Sequence, residues 1–286
     1  MNKSFQNLEV LDFYKKLPFN IYDNPDSAIQ SMKAQNPIKI YPPLKNIITN
    51  QKTFNSLDIG CGMGWFVNSL SYFFNNISAV GIDYNPVAIE FANLVKNKLK
   101  LKSIFYENDL FKIQLNQKFN LITSIGVLHH TNNCLEGIKK IIHLSPKYIL
   151  LGLYHKFGRK PFLEYFEELK IKYSNLNLEE KEEKLFSEYK QLDNRKTNEL
   201  HLKSWFQDQV LHPHETQHTF EEIFPIFNDN NYEIFKTSLN RFEEILNYKD
   251  IINSEKDWFE YRLNKLKNKE YFPGFFIVIA KKIRQF

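Results

Sequence analysis

A glycine-rich turn in this sequence is suited to binding a ligand at its main chain. The stretch Leu57-Asp58-Ile59-Gly60-Cys61-Gly62-Met63-Gly64 follows a short apolar run and opens an amphipathic one. Glycines at such a strand-to-helix junction let a ligand approach the backbone closely, and the start of the helix offers free N–H groups. The spacing G-x-G-x-G differs from the dinucleotide fingerprint G-x-G-x-x-G, whose third glycine would fall at Trp65.

An acid beside this turn discriminates between two classes of ligand. Asp58 lies two residues before Gly60, where a carboxylate repels a pyrophosphate but attracts a cationic amino group. S-adenosylmethionine (SAM) offers an α-ammonium group and a sulfonium and has no phosphate. The sequence therefore predicts that the turn binds SAM rather than a dinucleotide.

Three more stretches place polar residues directly after apolar runs. Asp83 follows Val80-Gly81-Ile82, where a carboxylate can accept both hydroxyls of a ribose. Asp109 and Leu110 follow the next run, where a side-chain acceptor can take the amino group of an adenine. The stretch Ser124-Ile125-Gly126 then carries a fourth run into the predicted binding site.

The elements that must position these residues alternate regularly from residue 55 to residue 152. Strands are predicted at 56–59, 79–82, 104–106, 121–124 and 148–151, and helices at 65–74, 86–98 and 135–144. Strands that are almost wholly apolar are buried on both faces, so the pattern predicts an α/β fold with a doubly wound, mostly parallel sheet. Beyond residue 152, helices are predicted at 162–192, 220–227 and 240–269 and strands at 232–237 and 275–280, while 203–217 shows no regular period.

This pattern predicts one core with additions rather than two independent domains. We interpret residues 1–45 as a helical N-terminal extension folded over the core, and residues 46–155 as the SAM-binding core. Residues 156–218 form a helical lid insertion rich in histidine and aromatic residues. Residues 219–286 are the C-terminal part of the core, with a helical insertion near 240–270.

The four polar stretches, in this order, resemble the class I SAM-dependent methyltransferases. The resemblance covers about residues 50–155 and the strands at 232–237 and 275–280. The sequence Gly126-Val127-Leu128-His129-His130-Thr131 is similar to the branch of ubiquinone/menaquinone-type and other small-molecule methyltransferases. The resemblance implies a Rossmann-like sheet of seven strands with an antiparallel last strand, supplied by 275–280, and SAM as cofactor, with S-adenosylhomocysteine (SAH) as product.

The resemblance also implies which residues contact the cofactor. It assigns the methionine-binding turn to Asp58, Gly60, Cys61, Gly62 and Gly64, the ribose contact to Asp83 with Tyr84, the adenine contact to Asp109 with Leu110, and the floor of the methyl site to Ser124 and Gly126. The [DNS]-P-P-[YFW] sequence of methyltransferases that act on exocyclic amines of bases or on glutamine is absent after the fourth strand, which argues against that subclass.

Histidines near strand ends are the candidates for a catalytic base, because histidine titrates near neutral pH. His129 and His130 follow the fourth strand, and Tyr154 and His155 follow the fifth. His129, His155 and His214 are predicted to be catalytic, although capping or surface roles are also consistent with these positions. Tyr154, Trp205, His212 and His218 are predicted to line or close the pocket for the acceptor. The pattern leaves the methylated atom open among oxygen, nitrogen and carbon.

The sequence His214-Glu215-x-x-His218 has the spacing of a zinc hydrolase, but its context is unfavourable. In such enzymes the motif lies on a helix, whereas Pro213 precedes it here, and Thr219 with Glu222 predicts a helix that begins after it. No third ligand is evident, so no metal site is predicted.

Composition narrows the class of protein and of partner. The 286 residues include 43% hydrophobic ones, which excludes disorder, and no apolar run is long enough to span a membrane. Two cysteines and the lack of a signal-peptide pattern at the N-terminus predict a cytoplasmic protein. Only five of the 38 basic residues are arginine and the lysines are scattered, so a nucleic-acid partner is disfavoured despite the net charge of +5.

The predicted function is therefore SAM-dependent methylation of a small organic acceptor. Two alternatives keep the same cofactor: a tRNA methyltransferase of the wobble-uridine type, and a SAM-binding protein without catalysis. The sequence does not set the oligomeric state.

Overall fold

A seven-stranded sheet forms the centre of the chain. The computed structural model describes residues 7–114, 117–192, 198–270 and 273–283. The strand order is β3-β2-β1-β4-β5-β7-β6, and β7 runs antiparallel to both of its neighbours while the other pairs are parallel. The strands are β1 (Phe54–Ile59), β2 (Ile77–Asp83), β3 (Ile104–Glu107), β4 (Leu121–Ile125), β5 (Tyr148–Tyr154), β6 (Tyr232–Thr237) and β7 (Phe275–Lys282). The predicted fold class, including the antiparallel last strand, is confirmed.

Helices cover both faces of this sheet. In chain order they are α1 (Leu8–Lys16), α2 (Pro25–Ala34), α3 (Pro37–Ile40), α4 (Leu44–Thr49), α5 (Trp65–Phe73), α6 (Pro86–Leu99), α7 (Cys134–His143), α8 (Lys156–Lys172), α9 (Leu178–Leu192), α10 (Glu199–Phe206), α11 (Phe220–Asn228), α12 (Tyr248–Ser254) and α13 (Asp257–Lys267). Among the described residues, no helix is long and apolar enough to cross a membrane.

Alternate residues of the central strands pack into two different cores. Ile149 and Leu151 of β5 belong to the core that includes Ile138 of α7. Leu150, which lies between them, belongs to the core that includes Phe66 of α5. Because both faces of the strand are covered, each position along it is apolar, which explains the continuous apolar runs in the sequence.

The helical prediction for 162–192 is correct in type but not in continuity. The structure has two helices there, α8 and α9, separated by residues 173–177. Asn177 and Glu180 explain the break: the Asn177 side chain accepts a hydrogen bond from the Glu180 N–H, and the Glu180 carboxylate accepts one from the Asn177 N–H. This reciprocal pair starts a new helix rather than continuing the old one.

The segment without a regular period, 203–217, contains the end of a helix. Helix α10 runs to Phe206 and continues as a π-helical turn over Gln207–Leu211, which is followed by an extended stretch. A π-helical turn changes the number of residues per turn, so a search for one helical period misses it. Asp208 lies in this turn and is buried.

Candidate functional site

The main cavity lies at the carboxyl ends of the parallel strands, where β1 and β4 lead to helices on opposite sides of the sheet. Its empty space is about 1000 Å³, with open solvent at the mouth included. Open α/β sheets bind ligands at this kind of switch point. The wall contributed by the sheet side includes Ile59, Gly60, Gly62, Ile82, Asp83, Tyr84, Asn85, Ala88, Asn108, Leu110, Phe111, Ile125, Gly126, Val127, His130 and Thr131, and the N-terminal wall includes Asn7, Val10, Leu11, Tyr14, Pro18 and Phe19.

The glycine turn has a backbone that side chains would disturb. Gly60, Gly62 and Gly64 all have positive φ, of 72°, 50° and 78°. A Cβ atom at Gly60 would lie 2.4 Å from a methyl group of Val127, and one at Gly64 would lie 2.6 Å from the Cβ of Ala92. At Gly62 a Cβ would meet nothing within 4 Å. Gly62 therefore presents bare backbone to the cavity, while Gly60 and Gly64 hold the turn against its neighbours.

Asp83 braces the turn from the end of β2. One of its carboxylate oxygens accepts a hydrogen bond of 2.7 Å from the Gly62 N–H, and the other accepts one of 2.8 Å from the Asn85 N–H. Burial raises the pKa of Asp83 above its ordinary value, while these N–H groups oppose the rise. The carboxylate lines the cavity and retains further acceptor capacity for a ligand hydroxyl.

Asp58 lies behind the turn rather than on the cavity wall. Its side chain is buried and accepts a hydrogen bond of 2.6 Å from the Thr123 hydroxyl. Burial raises the pKa of Asp58 to about 7; the Thr123 hydroxyl opposes this rise and the charge of Asp83 adds to it. A buried carboxyl group whose pKa is raised in this way is stabilised in its ionised form when a cation comes near it.

The ends of β3 and β4 supply the remaining residues that the sequence predicts at the cofactor. Leu110 and Gly126 line the cavity, whereas Asp109 and Ser124 are buried outside its lining. Asp109 accepts a hydrogen bond from the Phe111 N–H, so it shapes the loop that carries Asn108 and Leu110 to the cavity. Of the eleven predicted cofactor residues, Gly60, Gly62, Asp83, Tyr84, Leu110 and Gly126 line the cavity, and Asp58, Cys61, Gly64, Asp109 and Ser124 lie behind them.

His130, not His129, reaches the cavity from the end of β4. His130 lines the cavity, and the Nδ1–H of its ring donates a hydrogen bond of 3.0 Å to the His214 carbonyl. The Nε2 atom of His130 is buried and makes no hydrogen bond among the described residues. His129 packs 4.3 Å from the Tyr154 ring and outside the cavity lining, and burial lowers its pKa well below the ordinary value. The two rings are consecutive, so only the local backbone decides which one faces the ligand.

The other two histidines predicted to be catalytic have structural partners. His155 is fully buried, accepts a hydrogen bond from the Gly158 N–H and donates one of 2.9 Å to Glu255. The His214 ring donates a hydrogen bond to the Thr131 carbonyl. The His214 carbonyl accepts from the His130 ring, and the His214 N–H donates to the His212 ring. Neither ring is part of the cavity lining. Their position does not support direct contact with an acceptor, because both rings are engaged elsewhere.

The residues predicted to bind the acceptor do not line the cavity but lie behind the residues that do. The His212 ring stacks on the His130 ring at 3.7 Å between centroids, and the Trp205 ring packs at a tilt against the cavity residue Phe19, with 4.7 Å between centroids. The Tyr154 hydroxyl donates to Asp208. His218 is bonded to Glu222 and Thr216. These four side chains therefore support the walls of the cavity instead of lining it.

Two contacts that the sequence analysis missed stabilise the lid insertion beside the cavity, and the first of them joins it to the N-terminal extension. The Tyr14 hydroxyl of α1 donates a hydrogen bond to Asp208. The buried Arg159 makes a two-point ion pair with Glu215, with N–O distances of 3.0 and 2.7 Å, and lies over the Tyr154 ring. The one sequence feature that could have indicated Asp208 is its position as an acid within an aromatic stretch. The sequence does not indicate that Asp208 contacts Tyr14, which is 194 residues away.

The zinc-hydrolase pattern does not form a metal site. His214, Glu215 and His218 lie in an extended segment, and α11 begins after them with the Thr219 hydroxyl accepting from the Glu222 N–H. Glu215 is bonded to Arg159, and the two histidines have different partners, as described above. The residues therefore cannot hold one ion together in this arrangement.

Comparisons with known proteins identify a family that this chain matches. The sequence profile of a methyltransferase domain family matches residues 50–222. Malonyl-[acyl-carrier protein] O-methyltransferase of Bacillus anthracis is 30% identical over 110 residues, which are 38% of this chain and 39% of that protein. The ubiquinone biosynthesis O-methyltransferase of Candida albicans is 32% identical over 101 residues, 33% of this chain and 31% of that protein. The matched segment thus spans well under half of each of these relatives.

Solved structures share the fold. Magnesium protoporphyrin IX methyltransferase from Synechocystis PCC 6803, solved with bound SAH, has 15% sequence identity and a TM-score of 0.51, covering 88% of this chain and 82% of that one. PKMT2 from Rickettsia typhi, solved with AdoHcy, has 17% identity and a TM-score of 0.56, covering 82% of this chain and 49% of that one. At these identities the likeness shows the fold alone.

Proposed function

The chain belongs to the methyltransferase domain family, and from that premise we propose that it transfers a methyl group from SAM to a small organic acceptor. The assignment to the ubiquinone-type branch stays a prediction, because the matched relatives include enzymes named for different acceptors.

The observation that carries the proposal is the pairing of Gly62 with Asp83. Gly62 offers open space over bare backbone, and its N–H holds a carboxylate that itself faces the cavity. A ribose next to this carboxylate finds an acceptor for its hydroxyls, and an amino-acid portion can approach the turn without meeting a side chain. No Lys or Arg is among the described residues that line the cavity, so a pyrophosphate would find no cation there.

Each part of the chain has a distinct task in the proposed reaction. When SAM is bound, it supplies a methyl group on an already activated sulfonium. Gly62 and Asp83 orient it, and Asp58 behind the turn provides negative charge near its ammonium group. Helix α1 closes the cavity with Val10 and Leu11 and keeps water from the reacting atoms. Correct alignment alone can lower such a barrier by about 7–11 kcal/mol.

The enclosure of the cavity favours a small acceptor over a nucleic acid. The N-terminal wall, from Asn7 to Phe19, covers the cavity with mostly apolar side chains. A phosphate backbone is normally neutralised by Lys and Arg, and the described lining contains neither. A tRNA acceptor is therefore the weaker alternative. A cytoplasmic location likewise stays a prediction; both cysteines are free and buried.

Calorimetry with SAH and with NADH tests the cofactor proposal. We expect SAH to bind at one site and NADH not to bind, since only NADH requires a pyrophosphate next to Asp58 and Asp83. Incubation with methyl-labelled SAM and a deproteinised cell extract then tests catalysis. NADH binding in place of SAH would contradict the proposed cofactor, and SAH binding without any labelled product would favour the non-catalytic alternative.

A further inference from the structure

The strongest unexplained feature outside the cofactor contacts is the Nε2 atom of His130. His130 lines the cavity, yet this nitrogen is buried without a hydrogen bond among the described residues. The Nδ1–H is fixed by the His214 carbonyl, so the neutral ring carries its lone pair on Nε2. Buried nitrogens normally have a partner, and one without a partner at a cavity wall is expected to meet a ligand.

Asp208 faces the same nitrogen from the lid insertion. Its Oδ1 atom lies 3.7 Å from Nε2 of His130 and also accepts from the Tyr14 hydroxyl. Its other oxygen accepts from the Tyr154 hydroxyl at 3.2 Å. A lone pair and a carboxylate that face each other across this distance repel unless a proton or a metal ion comes between them, and burial raises the pKa of Asp208, which favours a proton there.

The geometry favours a proton. His130, Asp208 and His212 are close enough together for a metal, with candidate ligand atoms within 4.8 Å of one another. However, Nδ1 of His212 accepts a hydrogen bond from the His214 N–H, so the neutral ring carries its hydrogen on Nε2, the atom that would have to bind the metal.

We propose that His130 is the general base of the transfer and that its acceptor is an uncharged compound with a hydroxyl group. The inference rests on the proposed methyl transfer. His130 would contact the acceptor hydroxyl and is therefore a catalytic residue, whereas Asp208 acts through His130 and is a positioning residue. Tyr14 holds Asp208 from α1.

The charge of the cavity supports an uncharged acceptor. Among the described lining residues the acid is Asp83, and the lining has no Lys or Arg. A carboxylate or phosphate on the acceptor would be buried beside Asp83 and near Asp208 without a cation, which is unfavourable. A hydroxyl group differs from a neutral amine in that its oxygen is a weak nucleophile until its proton is removed. A base that stands next to a carboxylate suits that requirement.

The reaction balances with these groups alone. A bond forms between the acceptor oxygen and the methyl carbon while the bond from that carbon to sulfur breaks, and the sulfur keeps the electron pair as a neutral thioether. The hydroxyl proton moves to Nε2 of His130. The positive charge thus passes from the sulfonium to the imidazolium, which the Asp208 carboxylate stabilises.

His130 has the protonation state that a base requires. Burial lowers the pKa of His130 below the ordinary value, while Asp208, the His214 carbonyl and Glu215 oppose the change and Arg159 adds to it. The ring is therefore neutral near pH 7. The charged or titratable side chains that face it are Tyr14, His129, Tyr154, Arg159, Asp208, His212 and Glu215.

Nuclear magnetic resonance of ¹⁵N-labelled histidine rings in the SAH-bound protein tests the base without an acceptor. His130→Gln identifies the His130 signals, and His143→Gln, at an exposed histidine of α7, is the matched control. We expect a neutral ring with its hydrogen on Nδ1 at pH 7, and an apparent pKa that falls further in Asp208→Asn. A purely structural role for Asp208 would leave that pKa unchanged.

Three results would overturn the proposal. One is a hydrogen on Nε2 of His130 in the SAH-bound protein at pH 7. Another is a joint shift of the His130 and His212 signals on adding one equivalent of Zn²⁺ or Mg²⁺, which would identify a metal site. The third is label from methyl-labelled SAM that is found only in the anion-exchange-retained fraction of a cell extract. Failure of SAH to bind would instead count against the proposed function itself.

Discussion

The affinity for SAH should depend on pH through Asp58. In the free protein, burial raises the pKa of this carboxyl to about 7, with the Thr123 hydroxyl opposing the rise and Asp83 adding to it. The protonated form therefore dominates below pH 7. The ammonium group of SAH favours the ionised form, so binding below pH 7 must release a proton. The affinity should rise as the pH increases towards 7 and then level off.

The size of the effect follows from the two pKa values. If binding returns Asp58 to its ordinary value of 3.8, each pH unit below 7 weakens binding about tenfold, because the free protein must first lose a proton. Between pH 8 and pH 5 the dissociation constant should increase by about 100-fold, which is about 2.7 kcal/mol. A smaller change of pKa on binding would make the curve level off at a higher pH.

Calorimetric titrations from pH 5 to pH 8 measure this dependence, and two buffers of different ionisation enthalpy count the protons released. Asp58→Asn should bind SAH with an affinity that changes little over this range. In the parent protein, the affinity for 5′-methylthioadenosine, which lacks the amino-acid portion, should also change little with pH. A slope that persists in Asp58→Asn, or a flat profile in the parent protein, would refute the assignment of Asp58 to the ammonium group.

Three further substitutions test other parts of the site. Asp83→Asn should weaken SAH binding by about 10- to 100-fold, as calorimetry would measure. The carboxylate accepts hydrogen bonds with both oxygens, whereas the amide that replaces it would turn an N–H towards one of the donors. Gly62→Ala should remain folded, with a free energy of unfolding lowered by about 1–2 kcal/mol because alanine disfavours a positive φ. It should lose SAH binding, since the new methyl group enters the cavity. Unchanged affinity would be inconsistent with the assigned turn. Glu215→Gln should lower the free energy of unfolding by about 3 kcal/mol, because it leaves the buried Arg159 guanidinium without its carboxylate, and urea denaturation checks this.

The core of the fold could be predicted because its signals are local. Each apolar run from 55 to 152 became a strand, extended by one to three residues, because burial on both faces requires apolar residues at consecutive positions. The break between α8 and α9 was missed because it depends on the reciprocal Asn177 and Glu180 hydrogen bonds within a stretch whose apolar spacing is otherwise helical. The spacing of apolar residues indicates which face of a helix is buried, but it does not indicate where one helix ends and the next begins.

More of the residues predicted at the cofactor line the cavity than of those predicted at the acceptor, and the reason is physical. Gly60, Gly62 and Asp83 lie at strand ends, and parallel strands bring their carboxyl ends to one edge of the sheet. Which of the adjacent rings His129 and His130 faces the cavity depends on backbone torsion after β4, which residue types do not encode. The histidines of the lid insertion are predicted at the acceptor from their place between the fifth strand and the next helix. Their rings instead bond to the Thr131 carbonyl, to Glu222 of α11 and within their own segment.

The acceptor side also depends on contacts between segments that are distant in sequence. Tyr14 and Asp208 are 194 residues apart, and the His214 carbonyl that fixes the His130 tautomer is 84 residues from that ring. His130 itself follows β4, but the groups that set its tautomer and its neighbouring charge come from outside the sheet. Changes in α1 or in the lid insertion can therefore alter the proposed base and the acceptor without disturbing Gly62 or the cofactor.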